Sequence, residues 1–198
     1  MVTRPTDAEL IAAMPHDASA MEILYRRHRL AVMRFAARRV DSPQEVVDLV
    51  GAVWLEVIGS IDRFDPRYAE ALPWILGIAS NLCAADRRRR AREQELAQRL
   101  GGRRSLDPDD LTRLEEQMDA LTAARALRRE LDSLPPSERA IAELVFVDDL
   151  TPQQAAEALG LSGAAARMRL SRARRKLRRA ANFSAQRSSA TIAKELAP

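Results

Sequence analysis

Between Gly163 and Ala181 the chain carries eight arginines or lysines (Arg167, Arg169, Arg172, Arg174, Arg175, Lys176, Arg178 and Arg179) and no carboxylate. Guanidinium groups present planar forks of N–H donors that fit phosphate oxygens and the acceptor edge of guanine. The chemistry of such a run is recognition of an anionic polymer, with no bond made or broken. A second run, ADRRRRAR, gathers Arg87, Arg88, Arg89, Arg90 and Arg92. Upstream of it, IDRFDPRYAEA sets Phe64 and Tyr68 beside Arg63 and Arg67. Those aromatics either anchor a core or stack on unpaired bases. Groups for covalent chemistry are scarce. Cys83 is the single cysteine, and His16 and His28 are the two histidines. They offer neither a nucleophile–base pair nor a zinc-ligand set. The residues therefore point away from an enzyme and call for no metal and no cofactor. Cys83 reads as a small buried hydrophobe, and His28 as a surface residue in a basic run.

The longest basic run needs a rigid carrier. Thr151 is an N-cap type, and Pro152 suits a first helical turn. A short alanine-rich helix follows, and Gly160 can take the positive φ of a tight exit. Ser162 can cap the next helix. Two helices joined so closely, with glycine in the turn, read as a helix-turn-helix. On the second helix Ala166, Leu170, Ala173 and Leu177 recur at helical spacing and form its buried stripe. Met168, Ser171, Arg172 and Arg175 then point outward, flanked by Arg167 and Arg174. An outward basic face on that helix is where a duplex reader carries charge.

The rest of the chain is helical by the same criteria. TDAELIAAM forms a short helix that Pro15 interrupts. A longer one runs from Asp17 to Val40, with Ile23, Leu24, Leu30, Phe35 and Val40 as apolar positions. Ser42-Pro43 opens the next helix, with Glu45 near its positive end and Val46, Val47, Val50, Val53, Trp54 and Val57 on its apolar side. Pro73 starts a long helix with Trp74, Ile75, Ile78 and Leu82 inside. From Glu93 to about Asp119, Gly101-Gly102 and Asp107-Pro108 break the periodicity, which reads as a flexible linker. Helix resumes over 120–134, stops at Pro135-Pro136 and restarts from Ser137 to Val147, burying Ile141, Leu144 and Val145. After Ala181 the polar tail reads as disordered.

Aromatics make up 4% of the 198 residues while apolar residues reach 46%, which favours packed helices over a sheet. The net charge of +4 allows an anionic partner without requiring one. No apolar run reaches membrane-span length and no secretory leader opens the chain, so a cytoplasmic protein without membrane insertion is expected. The fold class is all-α: two small helical domains joined by a flexible linker, the C-terminal one containing the helix-turn-helix.

LPPSERAIAELVFVDDLTPQQAAEALGLSGAAARMRLSRARRKLR resembles the C-terminal domain of the extracytoplasmic-function (ECF) subfamily of sigma-70-type RNA polymerase sigma factors. LYRRHRLAVMRFAARRV, VVDLVGAVWLEVIGSIDRFDP and LPWILGIASNLCAADRRRR, in that order, resemble its N-terminal domain. The resemblance implies region 2 over 6–98, for polymerase clamp binding and recognition and melting of the minus-ten element. A linker follows over 99–119, then region 4 over 120–181, reading the minus-thirty-five element, and a tail over 182–198. It implies that Arg167, Met168, Arg169, Ser171, Arg172, Arg174 and Arg175 meet minus-thirty-five DNA, Arg169 and Arg174 through phosphate. It implies that Arg63, Phe64, Arg67, Tyr68, Asn81, Arg87 and Arg88 serve the minus-ten element, with the loop over 62–71 capturing a flipped base. Asp48, Leu49, Ala52 and Val53 fall on the helix that grips the polymerase clamp coiled coil. The implied partners are core RNA polymerase through clamp and flap, promoter DNA, and an anti-sigma factor. Ala164-Ala165-Ala166 depart from the family's Gly-Thr-Val type of segment, and Gly51-Ala52 replace its usual Gln-Glu pair. The competing reading is a stand-alone helix-turn-helix regulator, which gives Phe64, Tyr68 and the Trp74 helix no task.

Overall fold

The computed structural model describes residues 4–40, 42–66, 68, 70–99 and 128–195, and among these every regular element is helical. The elements are α1 (Asp7–Ala13), α2 (Ala18–Ala37), α3 (Pro43–Gly59), a 3-10 turn (Ile61–Arg63) and α4 (Leu72–Arg99). After a short helical stretch over 128–132 come α5 (Pro136–Phe146), α6 (Pro152–Ala158) and α7 (Gly163–Glu195).

The helix starts are set locally. The side chains of Thr6, Ser42 and Thr151 each accept a hydrogen bond from the backbone N–H of the third residue on, and the side-chain oxygens of Glu9, Glu45 and Gln154 accept one from the cap backbone N–H. Each box satisfies two amides that a helix start otherwise leaves unpaired. Asp17 caps α2 through the Ser19 N–H at 2.8 Å. Prolines occupy the first turn of α3, α5 and α6, where their missing N–H is harmless.

Leu24, Val32 and Phe35 of α2, Val53 and Val57 of α3 and Ile75 of α4 are closed to solvent. Burying such a side chain contributes about 1.5–3 kcal/mol. Leu10 and Ile11 of α1 seal one side. In the C-terminal half Ile141 and Leu144 of α5 meet Ala155 and Ala156 of α6 and Ala166 and Leu170 of α7.

These two halves share one contiguous core, because α4 packs on α6 and α5. The approach is closest at Gly77, where an added Cβ would sit 2.1 Å from the Ala158 carbonyl oxygen. Beside it lies a charged cluster. Arg39 donates to both carboxylate oxygens of Asp148, at 2.5 and 3.2 Å, and to Glu143 at 3.2 Å. Arg87 reaches the other Glu143 oxygen at 3.2 Å. Arg38 donates to the Val147 carbonyl at 2.5 Å. The two helical units therefore dock on each other, where the sequence suggested only a hinge. From residue 100 onward the expected linker lies outside the described residues.

Several sequence expectations change. Helix α7 continues to Glu195, through the tail expected to be disordered; no glycine or proline interrupts the chain between Gly163 and that point. His28 is buried rather than superficial, because it shares the inward face of α2 with Leu24, Val32 and Phe35. Ile23, Leu30 and Val47 are exposed. Each is apolar, but each lies off the stripe that its helix turns inward.

Candidate nucleic-acid interface

The helix-turn-helix closes as its residues require. Gly160 sits at φ +62°, the left-handed region that favours glycine. The N–H of Leu161 bonds the Ala156 carbonyl at 2.8 Å and that of Gly160 the Glu157 carbonyl at 3.1 Å. Those two bonds are the Schellman pair that ends a helix. Ser162 Oγ then accepts the Ala165 N–H at 3.2 Å and starts α7. With so few residues between them, α6 fixes the direction of α7.

Ala166, Leu170 and Ala173 face inward, with Leu177 half-buried behind them. Arg167, Met168, Ser171, Arg172, Arg174 and Arg175 are all exposed. Arg172 places a guanidinium nitrogen 3.5 Å from the Met168 sulfur, so the two side chains form one patch. Arg169 is half-buried. Arg174 lies with its guanidinium 5.4 Å from the Phe146 ring centroid, a cation–π distance that ties it toward α5. Lys176 pairs with the buried Glu138 at 2.9 Å. The outer face thus keeps a solvent-facing cationic surface around Met168 and Arg172.

A second surface surrounds the start of α4. Arg63 ends the 3-10 turn and is exposed. Phe64, a candidate for base stacking, is buried, and its ring packs edge-on to Trp74 with centroids 5.2 Å apart. It is a core anchor, the alternative that the residues left open. Tyr68 is half-buried, its N–H bonded to the Asp65 carbonyl at 3.0 Å. Arg67 lies outside the described residues. Asn81 and Arg88 are exposed on α4, and Arg88 makes no ion pair among the described residues. Arg87 is instead committed to Glu143. Arg89 and Arg90 bracket Asp86 at 2.6 Å each. Partial burial raises the Asp86 carboxyl, but its bonds from Arg89 and Arg90 outweigh this and hold it below the usual carboxylate range.

The third surface is the outer side of α3. Asp48 is exposed there, and Leu49 and Ala52 are half-buried. Val53 is fully buried between helices and cannot touch a partner. Sequence reasoning missed what lies beside them: Val47, Leu55 and Ile58 stand 64%, 71% and 49% exposed. With Gly51 they recur at i, i+4, i+8 and i+11, a single stripe open to solvent. The signal was present, because positions 47, 51, 55 and 58 share one helical face, but hydrophobicity alone assigned Val47 to the core.

Burial pushes the Cys83 thiol up despite Arg39 and Arg87 nearby, which keeps it an un-ionised hydrophobe. Burial also pushes the Asp148 carboxyl up, and Arg39 only partly counters it. Among the described residues no group of three or more His, Cys, Asp or Glu could hold a metal ion. Gly77, Glu143 and Asp148 were also invisible as a unit in the sequence, since their partners lie in the other half of the chain.

Comparison with known proteins bears on these surfaces. Residues 24–93 match the family model of sigma-70 region 2, and residues 124–177 that of sigma-70 region 4. The chain is similar to the RNA polymerase sigma factor CarQ of Myxococcus xanthus, at 30% identity over 80% of this chain and 87% of the relative. It is 28% identical to the ECF RNA polymerase sigma factor SigK of Mycolicibacterium vanbaalenii, over 90% of each. Its fold is similar to that of CnrH in complex with the cytosolic domain of CnrY, with a TM-score of 0.60 and 23% identity over 90% of this chain and 99% of the other. It also matches the sigma factor RpoE bound to the anti-sigma factor NepR from Bartonella quintana, with a TM-score of 0.55 and 20% identity over 81% and 98%.

Proposed function

We propose how promoter DNA is read and opened by this chain, which belongs to the ECF subfamily of sigma-70-type RNA polymerase sigma factors. It binds core RNA polymerase, directs it to promoters and assists their melting. Members of this family act in transcription initiation without catalysing a reaction, and we assign this chain no bond chemistry of its own. No described helix is long and apolar enough to cross a membrane; we place the protein in the cytoplasm with polymerase and the chromosome.

The carrying observation is the free outer face of α7 opposite its buried Ala166–Leu170–Ala173 stripe. In our reading α7 enters the major groove of the minus-thirty-five element. Met168, Ser171 and Arg172 face base edges, while Arg167, Arg169, Arg174 and Arg175 meet phosphate or the groove wall. Displacing counterions from phosphate supplies much of the affinity. The loop over 62–71, with Tyr68 and Arg63, captures a base of the opened minus-ten element. Asn81 and Arg88 steady the displaced strand. Asp48, Leu49, Ala52 and the Val47–Leu55–Ile58 stripe form the polymerase-facing side of α3. One solved structure similar in fold holds the sigma factor RpoE with the anti-sigma factor NepR, and we extend such a partner to this chain.

Run-off transcription with core polymerase on genomic fragments, followed by start-site mapping, tests the reading. Discrete starts downstream of a shared two-part element are expected. A chain that binds duplex DNA alone but gives core polymerase no new start sites would be a stand-alone regulator instead.

A further inference from the structure

Asp7 is an acidic residue on the first turn of a short helix, and it lies upstream of residue 24, where the family match begins. It is nevertheless 5% exposed. Its carboxylate accepts from three directions: the Arg27 guanidinium at one oxygen, and at the other the His28 ring nitrogen at 2.8 Å and the backbone N–H of Ala71 at 2.9 Å. Arg27 also holds the Pro5 carbonyl at 2.9 Å. Leu10 and Ile11, buried one turn on, fix α1 in the core. Asp7 is thus a rigid acceptor on a packed helix.

Ala71 closes the loop. It is fully buried, it is the last residue before α4, and its carbonyl accepts the Ile75 N–H at 2.9 Å. The loop is therefore held at both ends. At one end Phe64 packs on Trp74; at the other Asp7 holds the Ala71 amide. Tyr68 lies between them. A buried amide at a helix start would otherwise lack an acceptor. Here the acceptor is a charged oxygen from a helix outside the matched region.

We propose that Asp7 is a positioning residue for promoter melting: braced by Arg27 and His28, it fixes the Ala71 amide and thereby the end of the base-capturing loop. The proposal rests on the base-capture reading above. It requires no contact between Asp7 and DNA. A loop end free to shift would leave Tyr68 sampling positions that cannot hold a flipped base, while the α3 surface and α7 keep their places.

The test uses the full-length chain with core polymerase, in wild type, Asp7→Ala, Asp7→Asn, Tyr68→Ala and the Asp7→Asn/Tyr68→Ala double variant. Asp7→Asn keeps the size and one acceptor oxygen, so the test stands if Asp7→Ala does not fold. Hydrogen exchange should show in Asp7→Asn a loss of protection around the loop and the first turn of α4 that exceeds the uniform loss lower global stability brings to α3 and α7. Open-complex formation on duplex promoters, read by permanganate reactivity, should slow about tenfold or more, with polymerase affinity unchanged. A template unpaired around the minus-ten element should recover most of that loss. In the Tyr68→Ala background Asp7→Asn should cost less than it does alone, because both act through one loop. If Tyr68→Ala melts duplex promoters normally, the base-capture reading itself fails. If Tyr68→Ala is defective while Asp7→Asn is not, or if the two effects simply add, the positioning role alone is overturned. Loss of protection no greater in the loop than in α2 and α3 would also overturn it, as mere support of the fold.

Discussion

Arg39 and Asp148 lie 109 residues apart in sequence, yet they form a two-pronged ion pair whose side chains are 5% and 3% exposed. Arg39 lies in the turn just after α2 and Asp148 precedes the helix-turn-helix, so the pair spans the contact between the two halves. Breaking a buried pair by removing one partner typically costs about 3–5 kcal/mol, because a charge is left unpaired. Here that cost bears on the docking of the halves as well as on either fold. The same contact holds Arg87 against Glu143, so Arg87 can serve the minus-ten strand only after exchanging that carboxylate for phosphate.

Gly77→Ala should open this contact. A Cβ there would stand 2.1 Å from the Ala158 oxygen and 2.8 Å from its carbonyl carbon, and both are backbone atoms that cannot swing aside. Alanine otherwise favours a helix interior by about 1 kcal/mol, so α4 itself should persist. Solution scattering should show a larger radius of gyration at unchanged helical circular dichroism. An unchanged radius would mean that the halves are not held together by the α4–α6 contact.

On α7 the Arg172 and Met168 side chains act as one patch. Arg172→Ala should cost about 1–3 kcal/mol on the cognate minus-thirty-five duplex and relax discrimination there. Met168→Ala should lose part of the same discrimination, because the guanidinium loses its neighbour. Arg178→Ala should weaken cognate and scrambled duplexes alike and lower the salt slope by about one. Fluorescence anisotropy over a salt series reads all three. Equal losses on both duplexes for Arg172→Ala would remove it from base reading.

The exposed stripe of α3 separates stability from partner binding. Leu55→Asp should leave the melting temperature near that of the wild type, since the side chain is 71% exposed, but should weaken binding to core polymerase at least about tenfold. Val53→Asp should unfold the N-terminal half, because Val53 has no access to solvent. Gly51→Ala should stabilise α3 by about 0.5–1 kcal/mol, since its Cβ would meet nothing within 4 Å. Native polymerase affinity in Leu55→Asp would move the polymerase-facing surface elsewhere.

The helices were legible because their signals are local. Thr6, Ser42 and Thr151 announce starts within four residues, and Gly160 announces a turn by itself. The inward stripe of α7 followed from periodicity alone, and the outward reading face with it. What was not legible depends on partners distant in sequence. Phe64 looked available until Trp74 covered it. His28 and Asp7 have opposite charge tendencies but lie 21 residues apart, and Gly77 gains meaning only from Ala158. Val53 and Val47 carry the same side chain on the same helix. Only packing against α2 and α4 decides which is core and which is surface.

The pH dependence of stability offers a final check on the Asp7 cluster. Burial alone would push the Asp7 carboxyl up; the Ala71 N–H, the His28 ring and the Arg27 bond together overcome this and hold it below its ordinary value. The unfolded chain therefore binds this proton more readily than the folded one. The stabilisation is fully present above the unfolded aspartate value, about 3.9, and is lost as pH falls through the lower folded value. Asp148 runs the other way, since its carboxyl is raised in the fold. There acidification from above toward about 3.9 favours the folded chain as far as that group is concerned. Asp7→Asn should lower stability near neutral pH by about 1.5–3 kcal/mol, the worth of a charge-assisted hydrogen bond. It should also flatten the loss of stability on acidification below about pH 4, where its carboxylate no longer titrates. Asp148→Asn should leave that acid limb in place. Urea unfolding at a series of pH values measures both slopes. If Asp7→Asn and the wild type lose stability in parallel below about pH 4, the carboxylate is not held by these partners in the way the geometry requires.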